Sequence, residues 1–182
     1  PANRRVSATS YSPMLGNYLT DPANQFTLDN VDLAPHPTAS KALLYHDNFD
    51  DGRFDGYSIV DEGTIDGPSK WQWIAGEVVQ SANIYGPAVA STTHRKGTFA
   101  VYDTPAAYNW SDYRFEATLR SSDDDGIGLL FYYTDPDNYY KLDLDRQRDF
   151  FRIFKNLHGV ETTLAESAGQ YKTGDAMDVT IE

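Results

Sequence analysis

The stretch from Arg120 to Lys155 limits the possible folds more than any other part of the chain. It reads RSSDDDGIGLLFYYTDPDNYYKLDLDRQRDFFRIFK. An acidic triplet, Asp123-Asp124-Asp125, opens it. Three runs rich in Tyr, Phe, Ile and Leu follow, each alternating with a period of two residues. Asp135-Pro136-Asp137-Asn138 separates the first two runs, and Asp145 to Asp149 the next two. Aromatic and β-branched side chains suit a pleated surface, whereas Asp, Asn, Pro and Gly suit turns. The pattern predicts a three-stranded antiparallel meander, with the rest of the chain forming sheet around it.

The other segments keep the same character. In residues 1–30, Val6 to Tyr11 and Phe26 to Leu28 read as short strands flanking a polar turn at Asp21-Pro22. Residues 31–44, VDLAPHPTASKALL, carry two prolines and weak patterning, and read as an extended linker. From Tyr45 onward the strand signals resume. Tyr57 to Val60 is one. Trp71 to Trp73 and Glu77 to Ser81 flank Ala75-Gly76 as a hairpin. Gly97 to Tyr102 is another strand. Tyr113 to Ser121 sets Tyr113, Phe115, Ala117 and Leu119 against Arg114, Glu116, Thr118 and Arg120. Thr162 to Leu164 and Met177 to Glu182 add two more. No helical period persists over three turns. The expected class is all-β, a sandwich or barrel.

Charge narrows the partners. The chain of 182 residues has a formal net charge of −12 and contains no Cys. An acidic surface suits cations and not phosphate backbones, so nucleic acid is not expected as a partner. The absence of Cys excludes disulfides and thiolate metal sites. No apolar run approaches the roughly 20 residues of a membrane helix, so membrane insertion is not expected either. The first residue is Pro, which suggests a processed or excised piece.

Two segments carry family resemblances. Thr9-Ser10-Tyr11-Ser12-Pro13 and Asn24-Gln25-Phe26-Thr27-Leu28-Asp29 resemble the last strands of bacterial calcineurin-like metallophosphoesterases. That implies that residues 1–30 end an upstream domain whose dimetal ligands all lie outside this chain. The second resemblance spans most of residues 45–182. Its marks are Asp47-Asn48-Phe49-Asp50, the Trp71 to Gln80 hairpin, Ser121 to Gly128, Phe131-Tyr132-Tyr133 with Asn138-Tyr139-Tyr140, Asp145 to Arg148, and Lys155 with His158-Gly159. These resemble the concanavalin A-like jelly-roll modules (laminin-G-like or L-type-lectin-like) of secreted bacterial proteins, relatives of the thrombospondin C-terminal domain. The resemblance implies an antiparallel concanavalin-like β-sandwich, an extracellular or periplasmic location and structural calcium. It also implies further strands beyond Thr180-Ile181-Glu182. The sandwich is therefore expected to be truncated at its C-terminal end and completed by a second polypeptide segment.

Two groups of residues are candidate sites. Calcium takes six to eight oxygen ligands from carboxylates and carbonyls in irregular loops. Asp123, Asp124 and Asp125 form one acidic turn, and Asp47, Asn48 and Asp50 another; each reads otherwise as a solvated turn. The second group is a polar sheet face. Arg114 and Arg120 are expected to be joined there by Tyr132, Lys141, Asp143 and Arg152 from the next strands. Aromatic planes beside charged groups suit sugar rings. The competing reading is a solvent face held by cross-strand ion pairs. Trp73 is a further candidate platform if its hairpin exposes it; otherwise Trp71, Trp73 and Trp110 are core.

No catalytic constellation is present. The four histidines, His36, His46, His94 and His158, lack metal-type spacing. Glu161, Glu166 and Glu182 do not form the Glu-x-Asp-x-x-Glu strand motif of jelly-roll glycosidases. The leading expectation is a noncatalytic module that binds glycan or cell-surface polysaccharide, stabilised by Ca2+. A non-catalytic part of a secreted metallophosphoesterase or other hydrolase is the alternative, and a structural spacer or assembly domain the third.

Overall fold

The computed structural model describes residues 14–18, 26–35, 43–86 and 96–182, with backbone alone for 14–18, 26–35 and 108. The strand expected over Val6 to Tyr11, the turn at Asp21-Pro22, and His36 and His94 lie outside the described residues.

The described chain is all-β. Its strands are β1 (Met14–Tyr18), β2 (Phe26–Pro35), β3 (Tyr45–Asp47), β4 (Tyr57–Asp61), β5 (Trp71–Ile74), β6 (Glu77–Gln80) and β7 (Thr98–Tyr102). They continue with β8 (Tyr113–Ser121), β9 (Gly126–Asp135), β10 (Asn138–Asp145), β11 (Phe150–Leu157), β12 (Val160–Ser167) and β13 (Met177–Ile181). One short 3-10 turn, Ala107–Asn109, is the only helical element among the described residues. Seven strands form one sheet in the order β12-β11-β10-β9-β1-β7-β4. The other has the order β13-β8-β2-β6-β5, with β3 pairing with β2. The strand pairs in both are antiparallel.

Local chemistry accounts for much of this. The expected meander is β9, β10 and β11, with turns at the two Asp-rich clusters. Ala75 and Gly76 have φ of 55° and 81° between β5 and β6. Positive φ at both central residues is the two-residue hairpin geometry whose twist matches the flanking strands. Along β8 burial alternates without a break, with Tyr113, Phe115, Ala117 and Leu119 inside. Those residues meet Ile127, Leu129 and Leu144 of the other sheet in one apolar cluster that also holds Phe49, Val78 and Trp110. This cluster is the layer between the sheets.

A second apolar cluster lies on the opposite face of the seven-stranded sheet. It holds Phe99, Val101, Leu130, Tyr133, Tyr139 and Phe154. That face is therefore covered as well, which bears directly on the candidate site.

The expected boundaries at 30 and 44 are not where the sheets divide the chain. β1 lies between β9 and β7, and β2 between β8 and β6. Residues 31–35, read as linker, extend β2 and pair with both β8 and β3. Backbone groups in a sheet interior need partners; β2 supplies them along β8 from Tyr113 to Ser121, and β1 along β9 from Gly126 to Leu130. Pro35 stands as the last residue of β2, where a missing N–H disturbs the ladder least.

Candidate functional site

The β8–β9 turn gathers the most carboxylate. Asp123, Asp124 and Asp125 each present an oxygen within 4.8 Å of the others, and this is the one such group of three or more potential ligands among the described residues. The turn is braced by its own backbone. Asp123 N–H donates to Ser121 Oγ (3.1 Å), Gln147 N–H to the Asp124 carbonyl (2.6 Å) and Gly174 N–H to the Ser121 carbonyl (2.7 Å). The Tyr171 hydroxyl points between the carbonyls of Asp123 (2.7 Å) and Asp125.

A fourth acid closes on the turn from the end of β10. Asp145 accepts from Arg148 Nη1 at 2.7 Å, and the same guanidinium nitrogen stands 3.8 Å from Asp125 Oδ1. Arg148 thus offsets part of the charge of four crowded acids. Desolvation pushes the Asp123 carboxyl up to about 7, and the charges of Asp125 and Asp124 add to the rise. Burial likewise raises Asp145, against the hydrogen bonds and charge of Arg148. Three carboxylates converging on one point are a donor set for a hard cation, with water supplying the remaining ligands.

The other acidic turn is organised differently. Asp47 Oδ1 accepts the Phe49 N–H (2.8 Å), and Oδ2 accepts from the Tyr45 hydroxyl (2.7 Å). Asn48 Nδ2 donates to Asp50 Oδ2 (2.7 Å), while Asn48 Oδ1 accepts the Asp50 N–H (3.2 Å). These side chains build an Asx turn. It holds Phe49 at φ 57° so that its ring enters the core. Both oxygens of Asp47 accept hydrogen bonds in this arrangement, and Asn48 and Asp50 bond to each other.

The polar sheet face expected around Arg114, Arg120, Tyr132, Lys141, Asp143 and Arg152 is not one surface. Arg114 and Arg120 lie on β8, in the six-stranded sheet. Arg114 pairs with Glu116 (2.5 Å) and Glu182 (3.3 Å), and Arg120 with Glu77. Thr118 Oγ1 donates to Asp178 Oδ1 (2.7 Å) beside them. This is a half-exposed face laced by ion pairs, each contributing under about 1 kcal/mol.

Lys141, Asp143 and Arg152 do come together, but in the covered face of the other sheet. Asp143 and Arg152 are register partners on β10 and β11. Lys141 is fully buried, 3.6 Å from Asp143 Oδ2 and over the rings of Phe99 and Phe154 (5.9 and 5.6 Å). Arg152 donates to Glu166 Oε2 (2.6 Å) and lies 4.0 Å from the Phe150 ring centroid. Alternation put these residues opposite Leu142 and Leu144 correctly; what it could not show is that the second face is packed too. Burial pushes the Lys141 ammonium down, against the charges of Asp143, Glu62 and Glu161.

The sequence also offered no signal for Glu62 as part of this group. Its side chain is 3% exposed, 3.9 Å from Lys96 Nζ, and accepts from the Tyr139 hydroxyl at 3.4 Å. Desolvation raises it to about 7, with Lys96 and Lys141 opposing.

Tyr132 leaves that face altogether. It sits at φ 51°, near an irregular register between β9 and β10, and packs against the inter-sheet core. Its ring contacts Tyr113 and Tyr140 at centroid distances of 5.6 and 6.0 Å. Phe131 and Tyr140, register partners on adjacent strands, stack at 5.7 Å and 25°. Phe131, Tyr132 and Tyr140 are all half-buried, forming an aromatic group that keeps some ring surface toward solvent. Tyr132 lies seven residues along β9 from Asp125, about 20 Å of extended strand.

Trp73 takes a packing role. It meets Phe54 edge-on at 4.6 Å, in a stack that continues to Tyr57 and Trp71. Trp71 Nε1 donates to Thr98 Oγ1 (3.1 Å), and Trp110 is buried.

Comparisons of the chain with protein-family models, curated proteins and solved structures find no match.

Proposed function

We propose that the chain is a noncatalytic glycan-binding module with a concanavalin-like β-sandwich fold, part of an exported bacterial protein and stabilised by calcium. The observation that carries this reading is the half-exposed aromatic group Phe131, Tyr132 and Tyr140. Sugar rings pack their CH faces on aromatic planes, and Tyr hydroxyls reach the ring substituents. Strands with rings anchored in a core hold such planes in fixed orientation, which lowers the entropic cost of binding.

Calcium enters this reading through the Asp123–Asp125 turn. Ser121, Gln147, Tyr171 and Gly174 hold the turn in shape. A cation at its three carboxylates would relieve their mutual repulsion and tie the β8–β9 crossing to the β10–β11 turn.

The test is a glycan array on the intact chain, followed by titration of any hit against Tyr140→Ala. A loss of at least about fivefold, near 1 kcal/mol, is the scale of one lost aromatic contact. No hit across plant, bacterial and animal glycans would remove the reading. Undiminished affinity in Tyr140→Ala would move the site elsewhere.

A structural spacer or assembly domain is the second reading. It draws on the ion-paired face of β8, where Arg114 and Arg120 are engaged with neighbouring carboxylates.

A further inference from the structure

Glu62 follows β4 directly, at the margin of the seven-stranded sheet. Backbone bonds hold the junction around it. The N–H groups of Glu62 and Gly63 both donate to the Gly97 carbonyl (3.0 and 2.9 Å). Those of Thr64 and Ile65 donate to the Tyr85 carbonyl (3.1 and 2.9 Å), Tyr85 N–H returns to the Ile65 carbonyl (3.1 Å), and Gly86 N–H donates to the Lys96 carbonyl (2.8 Å). The outer side of this junction is surface: Thr64 to Pro68 are all exposed. Parting it uncovers little apolar area on that side, and segments of this kind open locally at a fraction of the cost of global unfolding.

The Glu62 side chain turns inward, onto the covered face, and its two oxygens are unequally matched. Oε2 accepts from the Tyr139 hydroxyl of β10 (3.4 Å). Oε1 has no hydrogen-bond partner among the described residues, and Lys96 Nζ stands 3.9 Å from it. A carboxylate stripped of water needs donors on both oxygens, whereas the neutral acid loses far less on burial. The charges that face Glu62 are Lys96 ahead of β7, Lys141 of β10 and Glu161 of β12, with the phenols of Tyr139 on β10 and Tyr133 on β9. Lys96 and Lys141 favour the anion and Glu161 opposes it, but desolvation outweighs the two lysines. Burial pushes both phenols up, so they stay uncharged near neutrality.

We propose that Glu62 is a proton-operated latch on the covered polar face. Protonated, it lies closed against Tyr139. Ionised, it swings out: residues 62–65 part from 85–86 and from Gly97, and water reaches Lys141 and Asp143. Opening of this junction hydrates the carboxylate and leaves both sheets intact, so it relieves a buried anion at less cost than unfolding does. Rising pH opens the latch and falling pH closes it.

The test is amide exchange and amide chemical shift on the full chain across neutral pH. After correction for the intrinsic effect of pH on exchange, protection at Gly63, Ile65, Tyr85 and Gly86 should fall at least about tenfold between slightly acidic and slightly basic solution. The shifts of these amides should move together with a midpoint near 7, while those of β8 stay in place. Glu62→Gln should hold the junction closed throughout. Lys96→Gln leaves the carboxyl in place and removes a charge that favours the anion, so it should move the midpoint to higher pH; it decides the matter if Glu62→Gln folds poorly. Junction amides that stay fixed while the Glu62 carboxyl carbon titrates would overturn the proposal, because the acid then ionises in place. So would shifts spread evenly over β8 and β9, which mean a loosening of the whole fold. A pH response that survives in Glu62→Gln, or a midpoint that Lys96→Gln leaves unmoved, would overturn it too.

Discussion

The Lys141 ammonium lies 3.6 Å from Asp143 Oδ2, two residues along the same strand, and neither side chain reaches solvent. The pair replaces hydration that burial has removed, and Asp143 Oδ1 has no hydrogen-bond partner among the described residues. Removing one member of a buried pair leaves an uncompensated charge. Lys141→Met alone and Asp143→Leu alone should each destabilise by about 3–5 kcal/mol. The double substitution should cost well under the sum, because neither member of the pair is then left without the other. Urea denaturation of the three variants is the measurement; simple additivity would mean that the two charges are not coupled.

Glu62 predicts a pH dependence. Its folded value of about 7 stands above the 4.5 of the unfolded chain. Protonated in both states below pH 4.5, it costs nothing there; the cost of burying the anion grows as pH rises and is complete above about 7. Glu62→Gln mimics the protonated form. It should match the parent near pH 5 and exceed it at pH 8 by on the order of 2–3 kcal/mol. A constant difference across this range would show that Glu62 does not titrate as described.

The acidic turn predicts a linked effect of calcium and pH. Carboxylates bind a cation only when ionised, so protons compete with it. Asp123, raised to about 7, should take up a proton as pH falls through that value. Calcium should therefore raise the melting temperature clearly at pH 8 and progressively less toward pH 5.5. Asp124→Asn should reduce the shift at pH 8. Identical calorimetric traces in calcium and in chelator at pH 8 would sink the cation reading.

Gly128 marks a close approach of strands. A Cβ there would run into the backbone carbonyl of Leu142 on β10. Backbone in a sheet interior gives way poorly, so Gly128→Ala should cost about 2 kcal/mol or more. Gly52, at φ 68° with open space around it, is the comparison. Gly52→Ala should cost about 1 kcal/mol, through backbone strain alone. Equal losses in thermal unfolding would contradict the packing difference.

Local signals were readable and the arrangement of sheets was not. The Tyr113 to Ser121 alternation appears unchanged as the burial pattern of β8, because one face meets a core and the other meets water. The Ala75-Gly76 turn, the meander and the Asp123–Asp125 cluster were likewise legible, each being set by residues adjacent in sequence. The aromatic group of Phe131 and Tyr140 was only half legible. Both rings were visible as strand residues, but their stacking depends on a shifted register between β9 and β10.

What the sequence by itself determined is therefore the all-β class, the strands and their turns: a period of two and a preference for positive φ act over a few residues. Only the tertiary structure decided which strands share a sheet and which faces are dry. Lys141 and Asp143 alternate with leucines, and Arg152 with Phe151 and Ile153, as a solvent face would. Phe99 from β7, Phe154 from β11 and Glu62 from beyond β4 close over that face instead. Burial at these positions depends on groups up to about eighty residues away in sequence, and alternation along one strand carries no record of them.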